Sequence, residues 1–466
     1  MGEIQYLKGR LEPELKAAFL CAGFEELSIG HSSIVISHWI SHSESGYGSS
    51  IGEDMDEVGK EIVPWERGGM DLHHINTGRG NCTYCILPDG TTLLIDAGEM
   101  HVGPVADGIQ RRTDIVPNDS RAPWEWIVRY IERVTTHRGP EFDYVWLTHF
   151  HSDHLGHLTE QSPVSESGAY RLTGLTGVCD RIPFSKIVDR GWPNYDYPMS
   201  VSDSKSADLS HGREGFANTR ASEENYMAFL EWHGSENQAT AEKFEAGRND
   251  QFPLVRDGGS FPGYRFQNVV CNGEVWTGNG SETRELFPPV SEIDPGELPN
   301  ENTCSCAGVI QYGAFKYFAG GDITGIVELG KPDWFDVESP VADVIGPVDV
   351  AVLNHHGHRD THNEHYVSTV RPRVWIGHSW SADHPGQGVF RRLTSTYLYP
   401  GDRDLFATNM MDANRAVIGP AINKAYKSTQ GHVVVRVEPG GECYRVVIVD
   451  DSIESSSVKD VYLYEV

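Results

Sequence analysis

Tyr144-Val-Trp-Leu-Thr148 followed at once by His149-Phe-His151-Ser-Asp153-His154 is the stretch whose reading decides the fold. The first five residues are a short apolar, β-branched and aromatic run of the kind that forms a buried strand. The next six hold three histidines and an aspartate, the ligand types of borderline divalent metals, on what reads as a strand-to-helix turn. Alternate spacing lets His149 and His151 face one ion while Asp153 and His154 face another. A solvated histidine-rich loop would need neither the apolar strand before it nor further ligands at later strand ends, and both are present.

Working outward, Cys85-Ile-Leu-Pro-Asp-Gly-Thr-Thr-Leu-Leu-Ile-Asp96-Ala-Gly98 reads as strand, Asp-Gly turn and strand, with Asp96 at the strand end. Ala122 to Val134 carries Trp, Ile and Val at helical spacing. Cys306 to Gly313 and Phe315 to Ala319 form a hairpin that leads to Asp322. Val348 to Leu353 is a buried-type strand running into His355 and His356. In the tail, Val433–Val437 and Tyr444–Val449 are predicted as a hairpin turned by Pro439-Gly440-Gly441. The polar stretch 158–300 holds a helix around Ser222 to Trp232 and a strand at Val269-Val-Cys, and reads as an insertion capping the core. Residues 1–70 read as an N-terminal extension, with a helix over Glu12 to Cys21 and an exposed loop from Ser41 to Glu61. The expected organisation is therefore an extension (1–70) and one domain (71–466), whose residues 158–300 are the cap and 421–466 a C-terminal β-hairpin.

With 67 acidic and 38 basic residues among 466, the chain carries a formal charge of −29. A long nucleic acid or an anionic membrane would be repelled, and no Lys/Arg run offsets this. Hydrophobic residues at 39 % and 11 tryptophans supply a packed core. No apolar run approaches the roughly 20 residues of a spanning helix, and no basic-then-apolar leader is visible, so a soluble, cytoplasmic protein is expected. Cys82/Cys85 and Cys304/Cys306 lie in apolar runs with spacing unsuited to a zinc ribbon and read as core thiols.

These motifs, in this order, resemble the metallo-β-lactamase superfamily, whose pattern is His-x-His-x-Asp-His followed by a strand-end Asp and a strand-end His. The resemblance implies an α/β fold, a four-layer αββα sandwich, over most of Asp71 to about Gly419. Within the superfamily the chain is most similar to the hydrolase domain of ComEC-type competence proteins and their soluble relatives. Gly78-Arg-Gly80-Asn, Pro88-Asp-Gly90, Asn302-Thr-Cys-Ser305, Gly321-Asp322, His355-His356-Gly357 and His384-Pro385 carry that likeness. It implies His149, His151, Asp153, His154, Asp322 and His356 as metal ligands, Asp322 bridging two ions. Asp96 is implied to orient the metal loop from behind, and Asn302 falls where most of the superfamily has a third histidine ligand. His384 is placed beside the substrate or behind the ligands. His356 is taken as ligand and His355 as proton donor or oxyanion partner, the reverse assignment being the alternative. His358 stands where these relatives usually have serine, and is either an added acid catalyst or an exposed loop histidine. His157 likewise departs from the usual glycine. His362, His365 and His378 read as surface or supporting histidines.

Two divalent ions about 3.5 to 4 Å apart bridge a hydroxide and lower its pKa toward neutrality. Zinc is expected, with manganese or iron as alternatives. No Gly-x-Ser-x-Gly elbow or phosphate-binding Gly-x-x-x-x-Gly-Lys-Ser/Thr loop competes with this reading. The expected function is thus a dinuclear metallo-hydrolase in which Asp153 orients the nucleophile and His355, with His358, assists the leaving group. The resemblance points to a phosphodiester or phosphate ester, and the charge to a small one. Carboxylic ester, lactone or lactam hydrolysis suits the same site, and a degenerate binding protein is the alternative of another class. Redox chemistry at a di-iron site is disfavoured because the chain shows no flavodoxin-like module. No oligomeric state is implied.

Overall fold

Among the described residues, short runs of β-branched and aromatic residues, punctuated by Asp-Gly and Gly-containing turns, build two nine-stranded sheets. The computed structural model describes residues 57–101, 110–199, 215–327 and 330–466. The helix expected over Glu12 to Cys21, and the loop from Ser41 as far as residue 56, lie outside them. The first sheet begins with β1 (Met70–His74), β2 (Thr83–Ile86), β3 (Thr92–Ile95), β4 (Phe142–Trp146), β5 (Phe184–Asp189) and β6 (Thr240–Lys243). Helices α1 (Pro123–Val134), α2 (Gly174–Arg181) and α3 (Gly215–Glu236) connect its parallel members.

The second sheet is opened by β7 (Tyr264–Cys271), β8 (Glu274–Trp276) and β9 (Thr283–Glu285), followed by the hairpin β10 (Ala307–Tyr312) and β11 (Phe315–Ala319). Then β12 (Val350–Val352), β13 (Val374–Gly377), β14 (Asp404–Ala407) and β15 (Tyr426–Ser428) add in parallel. Around them lie α4 (Glu338–Ile345), α5 (Glu364–Val370), α6 (Gln387–Leu393), α7 (Asp412–Ile418) and α8 (Ile422–Ala425). Finally β16 (His432–Val437), β17 (Cys443–Val449) and β18 (Val458–Glu465) return to the first sheet, β16 pairing with β1.

Strand alternation sets the layers. Leu93, Ile95, Tyr144 and Trp146 of one sheet meet Ile310, Tyr317, Val350 and Ile376 of the other in a core between the sheets. Leu94 and Val145 point the opposite way, onto Ile127 and Ile131 of α1 and Val178 of α2. On the far side, Ala351 and Trp375 pack against Val341, Val367 and Val389 of α4, α5 and α6. The result is a four-layer αββα sandwich, the architecture that the sequence leads one to expect.

Two boundaries differ from expectation. Residues 158–300 are not an insertion over the core: they supply α2, β5, α3 and β6 to the first half and β7 to β9 to the second. Polar connecting loops dilute these strands, and β6 is an edge strand with no buried residue, so its sequence lacks the apolar signature. The tail 421–466 is more than a hairpin, because β15 joins the second sheet and β18 adds a third antiparallel strand beyond β17. The four cysteines read as core thiols are free and buried.

Candidate metal centre

All the candidate ligands sit just beyond strand ends, at one edge of the sandwich. β4 ends at Trp146 and the chain turns through His149, His151, Asp153 and His154, while β11 ends at Ala319 and reaches Asp322 through Gly320 and Gly321. After β12, a tight turn over Asn354–Gly357 presents His355 and His356, both with positive φ, of 45° and 58°. Non-glycine residues rarely adopt that backbone, and two in succession persist only where the surroundings impose them.

Asp153, His154, Asp322 and His356 form one buried group whose donor atoms all lie within 4.8 Å of one another; His149, His151 and Asp322 form a second. Asp322 belongs to both. Its Oδ1 lies 3.1 Å from His154 Nε2, and its Oδ2 lies 3.5 Å from His149 Nε2 and 3.7 Å from His356 Nε2. His356 Nε2 is also 2.9 Å from Asp153 Oδ2, and His149 Nε2 is 3.2 Å from His151 Nδ1. Both Asp322 oxygens and His154 Nε2 are buried without a hydrogen-bond partner. A buried carboxylate left this way is costly unless an ion completes it. The donor set, imidazole and carboxylate, fits divalent zinc, manganese or iron.

Electrostatics agree with the geometry. Burial disfavours an ionised Asp322, yet the facing histidines, His154 foremost, hold its carboxyl well below the usual range. Burial likewise opposes charge on Asp153, but a hydrogen bond from His356 keeps it ionised. For His154 the balance runs the other way: Asp322 and Asp96 outweigh desolvation and push its pKa well up. Two ionised carboxylates among buried imidazoles make a natural cation site.

Behind the candidate ligands each group is braced. Asp96 Oδ2 accepts from His154 Nδ1 at 2.7 Å and from Thr148 Oγ1 at 2.9 Å, while its Oδ1 accepts from Thr148 N at 2.8 Å. This leaves His154 Nε2 turned to Asp322. A Cβ at Gly80 or Gly98 would strike the Asp153 carbonyl oxygen, so only glycine allows these loops to close on the metal loop. Glu301 accepts from Phe150 N at 2.8 Å and pairs through both oxygens with Arg190, whose guanidinium stacks on the Phe150 ring. Glu338, fully buried, accepts from Asn354 Nδ2 at 2.7 Å, His362 N at 2.8 Å and Asn363 N at 3.0 Å, tying down the loop that carries His355 to Asp360.

His355 stands outside these two groups and belongs to a third, half-buried one with His358 and Asp360. Its Nδ1 is 2.9 Å from Asp360 Oδ1 and its Nε2 is 3.9 Å from Asp322 Oδ2. His358 Nδ1 shares Asp360 Oδ1 at 2.9 Å and its Nε2 is 3.2 Å from Asp383, a pairing that outweighs partial burial and raises its pKa to about 9. Asn302 lies against His355, Nδ2 3.3 Å from Nε2, with its Oδ1 buried and unpartnered. His384 stacks on His356 at 4.7 Å, and Trp380 sits edge-on to both. His157 stacks on His101, and His378 is buried beside His74, Nε2 to Nδ1 3.1 Å. His362 is buried under Tyr366 and Trp375, whereas His365 is at the surface on Asp343.

Asp360, Asp383, Trp380, Arg190, Glu301 and Glu338 escaped sequence reading. Asp360, four residues past His356, is the one with a local signal. Arg190 and Glu301 are 111 residues apart and meet only in the fold.

No family model matches the sequence, and no curated protein matches it. Solved structures that resemble it include CmlA, a diiron β-hydroxylase from Streptomyces venezuelae (12 % identity, TM-score 0.34, 81 % of this chain and 55 % of that one). The chain thus spans about half the length of that hydroxylase. A hydrolase of the β-lactamase superfamily, AbOPH, is 13 % identical with TM-score 0.28, over 61 % of this chain and 84 % of its own. Zn(2+)-bound PqqB from Methylobacterium extorquens is 10 % identical with TM-score 0.32, over 78 % and 99 %.

Proposed function

We propose that the chain is a dinuclear metal-dependent hydrolase acting on a small phosphodiester or phosphate ester. The observation that carries this reading is Asp322, one carboxylate shared by two groups of potential ligands. His149 and His151 would hold one ion with Asp322; Asp153, His154 and His356 would hold the other with it. When bound, such a pair supplies a water-derived nucleophile at neutral pH and Lewis-acid stabilisation of the charge that develops on the substrate.

The protein's own groups do the rest. Asp153, kept ionised, is the hydrogen-bond acceptor that orients the attacking water. His355, fixed through Nδ1 by Asp360, keeps Nε2 toward the centre and delivers a proton to the leaving oxygen. His358, on the same carboxylate, adds positive charge at that edge. A net charge of −29 disfavours a polyanion, so a small molecule is the substrate class, and no helix among the described residues is long and apolar enough to cross a membrane.

The test is elemental analysis of protein purified without added metal, followed by chromogenic phosphodiesters and then lactones as substrates. About two ions per chain and chelator-sensitive phosphodiester cleavage support the reading. Cleavage of lactones or carboxylic esters alone would move the substrate class. No more than one ion after metal is supplied, with no turnover, would overturn the hydrolase and favour a binding protein.

A further inference from the structure

We propose that Arg79 and Arg112 form an oxyanion-recognising rim beside the candidate metal centre, so that the substrate carries an anionic group in addition to the bond that is cleaved. The inference rests on the hydrolase reading for its placement at a substrate mouth, but on separate residues for its chemistry. Several of the described arginines of this acidic chain are ion-paired: Arg129, Arg133, Arg138, Arg190, Arg248 and Arg436 each lie within 4.0 Å of a carboxylate. Neither Arg79 nor Arg112 has such a partner among the described residues, although both are half-buried.

Arg79 belongs to the loop that closes on the metal loop. Two residues on, Asn81 N donates to the Asp153 carbonyl at 2.7 Å, and the Arg79 carbonyl accepts from Met100 N at 2.8 Å. Its guanidinium reaches only main-chain oxygens, Gly78 O at 3.0 Å and Thr113 O. Arg112 stacks on Trp380, Cζ 4.8 Å from the ring centroid, and Trp380 is itself edge-on to the ligand His356. Arg112 Nη1 donates to Ser381 Oγ at 2.8 Å, Ser381 Oγ to Asp383 Oδ1 at 2.8 Å, and Asp383 Oδ2 is the carboxylate on His358. A continuous line of contacts therefore joins Arg112 to the leaving-group edge.

The two cations also sense one another: burial lowers the pKa of Arg79, Asp114 pulls it back up, and Arg112 adds a smaller repulsion that lowers it. An oxyanion between the forks would relieve that repulsion and satisfy the N–H groups that the carbonyls leave open. Phosphate and carboxylate share this chemistry. The scissile group would stay with the ions while the second anion rests on the rim.

Inorganic phosphate titrated calorimetrically into the full chain, stripped of metal and shown to be folded by circular dichroism, tests the rim without any turnover. One phosphate per chain should bind, and Arg112→Gln and Arg79→Gln should each weaken it about tenfold, with Arg112→Lys recovering part of the loss. Should stripping unfold the chain, the same titration of the protein as purified reads the second of two phosphate equivalents. Acetate in a parallel titration separates the sources: equal binding of acetate assigns a carboxylate, weaker binding a phosphate. Unchanged phosphate affinity in both glutamine variants, or no binding by the parent, overturns the rim and leaves the hydrolase reading standing. Arginine-dependent phosphate binding by a chain that hydrolyses nothing would support the rim while removing the hydrolase.

Discussion

Asp96 Oδ2 and His154 Nδ1 lie 2.7 Å apart, and this hydrogen bond decides which imidazole nitrogen faces Asp322. Asp96→Asn keeps the shape but removes the charge and one acceptor. Metal affinity should fall roughly 10- to 100-fold. Competition against a chromogenic chelator measures it, and unchanged affinity would mean that the bond does not tune the ligand.

Asp322→Ala removes the one side chain common to both ligand groups. Metal content should drop from about two ions per chain to less than one, while the far-ultraviolet circular dichroism spectrum stays that of the parent. His151→Ala, by contrast, touches only the smaller group and should leave about one ion.

Arg190 and Glu301 are a paired charge beneath the metal loop, held through Phe150 N. Removing one partner strands the other, so Arg190→Ala should cost roughly 3–5 kcal/mol of stability. Replacing it by Lys keeps the charge but not the two-pronged contact and should recover only part. Urea denaturation of the three proteins gives the comparison, and a loss below about 1 kcal/mol in the alanine variant would show that the pair is not structural.

Glu338 has its pKa raised to about 8 by burial, against the pull of hydrogen bonds from Asn354 and two backbone N–H groups. An acid whose folded pKa lies above its unfolded value near 4.5 holds its proton longer in the native state. Its contribution to stability is therefore greatest at low pH and falls as pH rises from about 4.5 to about 8. Stability of the parent at pH 5.5 and 8.5, compared with that of Glu338→Gln, isolates this slope. A parent and variant with parallel pH dependence would contradict it.

The motif of candidate ligands was readable because its residues are contiguous and follow an apolar strand: His149 to His154 needs no long-range information. Asp96 and Asp322 were readable as strand-end acids and the hairpins from Pro88-Asp-Gly90 and Gly313, whereas the sandwich was implied by the resemblance that these motifs carry. The outer strands were not. β6 has no buried residue, and β18 buries only Val458 and Tyr464 while Leu463 is exposed, so neither shows a clean apolar alternation for sequence to display. The bracing residues were invisible for another reason. Glu338 acts on residues 16 to 25 positions away and Arg190 on one 111 away, and their chemistry exists only once the chain has folded.

The candidate ligands are divided between the two sheets. His149 to His154 leave β4 of the first, whereas Asp322 and His356 leave β11 and β12 of the second. An ion held by both sets is a cross-brace over the seam of the sandwich, and the site does not exist until the two halves have docked. Metal occupancy then reports on the assembly of the fold as much as on catalysis. Chelation should loosen the seam before it disturbs either sheet, because binding energy available only to the docked state is stability of that state.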